Sequence, residues 1–76
     1  MTTVEETAAE IQRLFLRAAP EGYSCSDETA EQAALAAHRG HLYLAARVLS
    51  LGTGLVGWVA EAIILNALDQ PEAPPR

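Results

Sequence analysis

The sequence contains no lysine, and its positive charge comes from five arginines. Ten acidic residues leave the 76-residue chain with a net charge of −5. Proteins that bind a phosphate backbone use clustered Lys and Arg, so this balance disfavours nucleic acid as a partner. A neutral or basic protein is the better expectation.

Cysteine is almost absent as well, since Cys25 is the single one. One cysteine excludes an internal disulfide and a metal cage built from several cysteines, as is usual in a reducing compartment. The acidic N-terminal residues 1–10 also lack the basic and then apolar pattern of a signal peptide. We therefore expect a cytoplasmic protein.

Recognisable catalytic motifs are missing too. The sequence shows no phosphate-binding loop, no Ser/His/Asp set and no paired-carboxylate site, and a short helical chain has little room for a pocket. Cys25 has no neighbouring base to activate it. His38 and His41 lack the Cys or carboxylate partners of a zinc site. We expect neither an enzyme nor a bound cofactor or metal.

Aromatic residues are few, numbering four, although half of the chain is hydrophobic. The apolar volume is therefore mostly alanine and branched aliphatic, which suits closely packed helices. A chain of this size buries only about 60% of its unfolded surface, so we expect additional stabilisation from outside the monomer. The excess of Ala, Arg, Gly and Pro without Lys is typical of a GC-rich genome, such as that of a bacterium or a phage.

The first helix is predicted from Thr3 and Glu6, which form a capping box, to the stop at Pro20. Its apolar residues recur at a 4-3-4-3 spacing and form one stripe that faces the core. The stripe consists of Val4, Ala8, Ile11, Phe15 and Ala18, and Leu14 and Leu16 are expected to widen the buried surface.

The second helix is predicted to begin after Ser26 or Ser24, either of which can cap it. Small residues line one of its faces and let a neighbouring backbone approach closely: Ala30, Ala33, Ala34 and Ala37. Gly40 is expected to end this helix in the left-handed conformation. One long helix running through Gly40 is the alternative.

The third helix is predicted over residues 41–51, with two apolar sides that both look buried. These sides are Leu42, Ala45 and Leu49, and Leu44, Val48 and Leu51. Gly52, Thr53 and Gly54 should end it, and Thr53 can cap a fourth helix over residues 54–69. That helix is apolar nearly all round, so it should be central or covered by a second chain.

Residues 35–52 resemble the helix-turn-helix of an ankyrin repeat. The pattern of that family is Leu-Ala-Ala-x-x-Gly-His-Leu, followed by apolar positions and a closing glycine. The resemblance implies two antiparallel helices that turn at Gly40. The chain departs from the family at Glu31 and Gln32, which replace the threonine-proline signature, and at Arg47, which takes an apolar position. No second repeat follows, although stacking needs about three.

Residues 48–68 contain one charge, Glu61, and are long enough to cross a bilayer. The glycines near position 53 and the lack of a basic flank argue against a membrane segment, which stays an alternative. A carboxylate in an apolar helix needs a positive partner or a raised pKa. We therefore predict that Glu61 forms a buried ion pair with Arg47; exposure of Glu61 on the one polar edge of the helix is the alternative.

Together these patterns predict an all-α fold, a three- or four-helix bundle with a central helical hairpin. Residues 1–69 should form one domain and residues 70–76 a flexible Pro-rich tail. We expect a small acidic module that binds another protein and self-associates as a homodimer through Leu55, Trp58, Val59 and Ile63. The alternatives are a membrane-associated protein, a helix-turn-helix regulator, or a DNA mimic built on residues 1–31, which carry seven acids.

Overall fold

Four helices follow one another in the computed structural model, which describes residues 3–68. Within that range there is no strand, and the helices are α1 (Val4–Ala18), α2 (Asp27–His38), α3 (Leu42–Thr53) and α4 (Gly57–Leu68). The predicted all-α fold is confirmed. The predicted tail, residues 70–76, lies outside the described residues.

The helices form a bundle. Each helix packs against the next one in the chain, α4 returns to pack against α1, and α2 also contacts α4. Between the described parts of α1 and α3 there is no comparable packing, so these two helices lie on a diagonal. The fourth helix therefore closes the bundle.

Two helix starts have the predicted caps. Thr3 Oγ1 accepts the Glu6 N–H at 3.1 Å, and Glu6 Oε1 accepts the Thr3 N–H at 3.0 Å, which completes the capping box of α1. Ser26 Oγ accepts the Thr29 N–H at 3.2 Å at the start of α2. These bonds satisfy backbone donors that a helix start would otherwise leave unpaired.

Gly40 ends α2, as predicted, with a φ of 84°. The His41 N–H donates to the Ala36 carbonyl at 3.0 Å, and the Gly40 N–H donates to the Ala37 carbonyl at 3.0 Å. These two bonds make a Schellman motif, which requires a left-handed residue and therefore favours glycine. The chain reverses here, and α2 and α3 form the predicted central hairpin.

Small residues bring α2 and α3 together. The alanine face of α2 is fully or almost fully buried, and Ala45 and Ala46 are buried on α3. Gly52 lies inside α3 and does not end it, because the helix continues to Thr53. Its missing side chain leaves room for Thr29 of α2.

The larger core residues come from three helices. Ile11, Phe15, Leu49 and Ile64 are all buried, so the predicted stripe of α1 does face the core. Leu16 does not: it is 77% exposed, because only the side of α1 that carries Ile11 and Phe15 meets other helices. Ala18, at the end of the stripe, is exposed too.

The predicted start of the fourth helix is wrong by three residues. Thr53 ends α3 and does not cap α4: its hydroxyl donates to the Leu49 carbonyl at 2.6 Å and accepts the Leu55 N–H at 3.3 Å. Gly54, with a φ of 87°, closes α3. The first carbonyl acceptor of α4 belongs to Val56, which receives the N–H groups of residues 59 and 60.

Candidate protein-binding surface

A groove of about 200 Å³ runs between α3 and α4. The two helices are joined by the short turn of residues 54–56 and pack side by side, which is the arrangement of an antiparallel αα-hairpin. Each helix therefore supplies one wall. The lining residues are Tyr43, Ala46, Arg47, Ser50 and Leu51 from α3, with Gly57 and Glu61 from α4.

The α3 wall carries two large apolar side chains that the bundle does not cover. Tyr43 is 75% exposed and Leu51 is 76% exposed. Together with Arg47 they follow a spacing of four residues, which places them along one side of the helix. The prediction that both apolar sides of α3 are buried is wrong for Leu42, Leu44 and Leu51, since only the sides toward α2 and α4 have neighbours.

Arg47 and Glu61 both line this groove, but both are exposed. Among residues 3–68 the ion pair that forms joins Glu10 and Arg13 on α1, and none joins Arg47 to Glu61. The burial predicted for the pair is therefore not observed. Ala60 and Ile64 take the buried side of α4, which turns Glu61 toward solvent.

The outward side of α4 adds two more apolar residues. Trp58 is 73% exposed, and Leu65, seven residues further along, is also exposed. A separation of seven residues is two helical turns, so these side chains share a face. We call the groove and this face together the α3–α4 surface: its apolar members are Tyr43, Leu51, Trp58 and Leu65, and its charged members are Arg47 and Glu61.

A second groove, of about 420 Å³, lies between α1 and α4. Trp58 stands at its edge, and the half-buried Val59 lines it with Leu14 and Arg17 of α1. Two residues of the predicted association surface, Trp58 and Val59, are thus accessible. Both lie on α4 and line the second groove.

The other two predicted association residues are buried within the monomer. Leu55 is 6% exposed and Ile63 is 4% exposed. The Leu55 carbonyl accepts the Ser50 hydroxyl at 2.6 Å, which folds the turn back onto α3 and directs Leu55 inward. Ile63 lies on the inner side of α4 with Ala60. These positions are core, whereas Tyr43, Leu51 and Leu65, which the sequence did not single out as association residues, are exposed.

One polar contact inside the bundle was not predicted. Thr7 of α1 is 1% exposed, and its Oγ1 lies 2.7 Å from His38 Nε2 at the end of α2. A buried hydroxyl needs such a partner. The sequence does place a threonine beside the apolar stripe of α1, which indicates a buried hydroxyl. It does not identify the partner, because His38 lies 31 residues away in the chain.

Cys25 is half-buried just before α2 and packs against the core. Burial raises the pKa of the Cys25 thiol, and the negative charge of Asp27 adds to the effect. A raised pKa reduces the reactive thiolate, which is the opposite of what a nucleophile needs.

The described residues contain no group of three or more His, Cys, Asp or Glu that could hold a metal ion. In the same part of the chain, the helices fall short of the length and apolar character that crossing a membrane requires. The apolar run 48–68 is divided between α3 and α4. Comparison with protein-family models, with curated proteins and with solved structures gives no match to this chain.

Proposed function

We propose that this chain is a small protein-binding module that acts through the α3–α4 surface. One observation carries the proposal: Tyr43, Leu51 and Trp58 are each about three-quarters exposed. The bundle fills much of its core with alanine while these large side chains remain outside. Covering them with another protein would remove apolar area from water, which stabilises a complex by about 25 cal/mol per Å².

The composition of the surface supports a protein as the ligand. Tyr, Trp and Arg are the residue types that most often dominate binding energy at protein interfaces. Tyr43, Trp58 and Arg47 supply all three, and the adjacent groove gives a partner side chain a place to enter. A pocket for a small molecule is normally more enclosed, so that it buries most of its ligand's surface.

The charge distribution supports the same proposal. The first turns of α1 and α2 are acidic, whereas α3 contains no acidic residue. The α3–α4 surface therefore has one positive and one negative side chain, Arg47 and Glu61, and little net charge. A protein partner can dock on this nearly neutral surface without contacting the acidic first turns of α1 and α2. A cytoplasmic location belongs to this proposal and is supported by the single cysteine.

Site-specific photocrosslinking tests the proposal. A benzophenone amino acid is placed at position 43 or 58, both exposed, and the labelled chain is irradiated in a lysate of the cells that encode it. We expect discrete adducts that excess unlabelled wild-type chain suppresses. Excess Leu51→Asp chain should suppress them much less, because it places a charge on the binding surface.

The matched control carries the same crosslinker at position 28, where Glu28 is exposed on α2 and lines neither groove of the surface on α4. Adducts that are as strong from position 28 as from positions 43 and 58 would show general stickiness. That result, or the absence of any adduct, would overturn the proposed function.

A further inference from the structure

We propose that the partner on the α3–α4 surface is a second copy of this chain, related to the first by a two-fold axis that runs along the groove. The inference rests on the proposed function and names its ligand. It starts from the position of Arg47 on the α3 wall and Glu61 on the α4 wall of one groove.

A two-fold axis along the groove exchanges its walls. The α3 wall of one copy then faces the α4 wall of the other, and each Arg47 faces the Glu61 of the second copy. The same operation creates this contact twice, because a two-fold interface is self-complementary. Within residues 3–68 neither side chain has an ion-pair partner, so both are available to a second chain.

The helix directions fit the same axis. The axis leaves the direction of each helix unchanged, so α3 of one copy meets the oppositely directed α4 of the other. The four facing helices then alternate in direction, as they do in up-down four-helix bundles. Tyr43 and Leu51 from the two copies would fill the space between them. An added Cβ at Gly57 would meet no atom within 4 Å, so that end of the groove is open to an incoming side chain.

Charge also selects the surface through which two copies can meet. Two chains with a net charge of −5 each repel one another over most of their surfaces. They can associate most easily where the charge is balanced and arranged so that opposite signs meet. The α3–α4 surface has this arrangement, whereas the shallow groove between α1 and α2 is lined by Glu5, Asp27 and Glu31 and would place like charges together.

Charge reversal with mixing tests the inference. Sedimentation at high micromolar concentration should give wild-type chain twice the monomer mass of 8.1 kDa. Arg47→Glu alone puts two like-charged contacts into the dimer, and so does Glu61→Arg alone. Each should weaken dimerisation by about tenfold or more. An equimolar mixture of the two variants should recover the dimer, because a heterodimer restores both Arg–Glu contacts.

Arg39→Glu and Glu21→Arg are the matched controls, since they make the same charge changes at exposed positions that do not line this groove. The dimerisation constant of each control should lie within about twofold of the wild-type value once the change in net charge is allowed for. Circular dichroism of each variant should retain the wild-type helix signal, because Arg47 and Glu61 are exposed. Loss of helix would mean that these residues support the monomer, and would overturn their assignment to the interface.

A wild-type chain that stays monomeric at high micromolar concentration would overturn the inference. So would single variants that dimerise like wild type, or a mixture that recovers nothing. These outcomes are separable from failure of the proposed function. A monomeric chain that still yields adducts of other mass from positions 43 and 58 retains its role as a binding module and has a different protein as its partner.

Discussion

The Thr29 side chain on α2 occupies the space into which a Cβ on Gly52 of α3 would project. Such a carbon would lie 2.6 Å from Thr29 Cγ2 and 2.9 Å from Oγ1. Thr29 is held in place, because its Oγ1 accepts the Ser26 hydroxyl at 3.0 Å. Glycine inside a helix ordinarily costs about 1 kcal/mol relative to alanine. The close approach of the two helices accounts for its presence here.

Gly52→Ala should therefore destabilise the wild-type fold by about 1 to 3 kcal/mol through overpacking. In a Thr29→Ala background the same change should be neutral or stabilising by up to about 1 kcal/mol, since only the Cβ at 3.4 Å remains in its way. Urea unfolding of the four variants measures the coupling between the two sites. A coupling energy near zero would contradict the close contact.

Gly40→Ala should also destabilise the fold, by about 1 to 2 kcal/mol, for a different reason. An added Cβ would touch nothing within 4 Å, but the φ of 84° is unfavourable for any residue with a side chain. Gly57→Ala is the matched control, because its Cβ is equally uncrowded and its φ is not positive. Thermal unfolding should show a lower melting temperature than wild type for Gly40→Ala and a higher one for Gly57→Ala. A stabilised Gly40→Ala chain would exclude the Schellman turn.

Phe15→Ala should cost about 3 to 5 kcal/mol, since Phe15 is fully buried and its removal leaves a cavity. The neighbouring Leu16→Ala should cost less than about 0.5 kcal/mol, because that side chain is largely exposed. Urea unfolding of both variants at the same protein concentration provides the comparison. Equal losses would mean that α1 packs in a different register.

Trp58→Ala should leave the helix content of the monomer unchanged, because Trp58 lies mostly in solvent. Its effect should fall on association, since an exposed tryptophan is a favourable anchor for a partner. Circular dichroism and light scattering on the same sample separate the two effects. Loss of helix at unchanged mass would place Trp58 in the core instead.

Cys25 should react slowly with iodoacetamide in the folded chain. Burial and the charge of Asp27 raise the pKa of the thiol, so less thiolate is present at any pH below that pKa. The rate of alkylation against pH should therefore be displaced to higher pH relative to the chain unfolded in urea. Coinciding curves for the folded and unfolded chains would contradict the effect of burial.

Local chemistry made several features of this fold predictable from sequence. The caps at Thr3 and Ser26 and the turn at Gly40 depend on residues within a few positions of one another. The alanine face of α2 is visible as a helical spacing, and its burial follows from the need of small residues to pack closely. The caps and the turn do not depend on where the other helices lie.

Features that depend on neighbours in space were harder to predict. Leu16, Leu51 and Trp58 are as apolar as core residues, and their exposure is decided by which sides of α1, α3 and α4 have a helix beside them. Thr53 has the chemistry of a cap, yet its hydroxyl bonds to the preceding helix. Of the four residues expected to mediate association, Trp58 and Val59 are accessible on α4, whereas the turn and the bundle bury Leu55 and Ile63.

The connection pattern of the bundle bears on how fast it forms. The α2–α3 and α3–α4 pairs are each joined by a three-residue turn, so their contacts close short loops. Proteins dominated by such local contacts fold in microseconds to milliseconds. The packing of α1 against α4 spans the longest stretch of chain and requires the largest loop-closure entropy. The docking of the first helix onto the last is therefore expected to limit the rate.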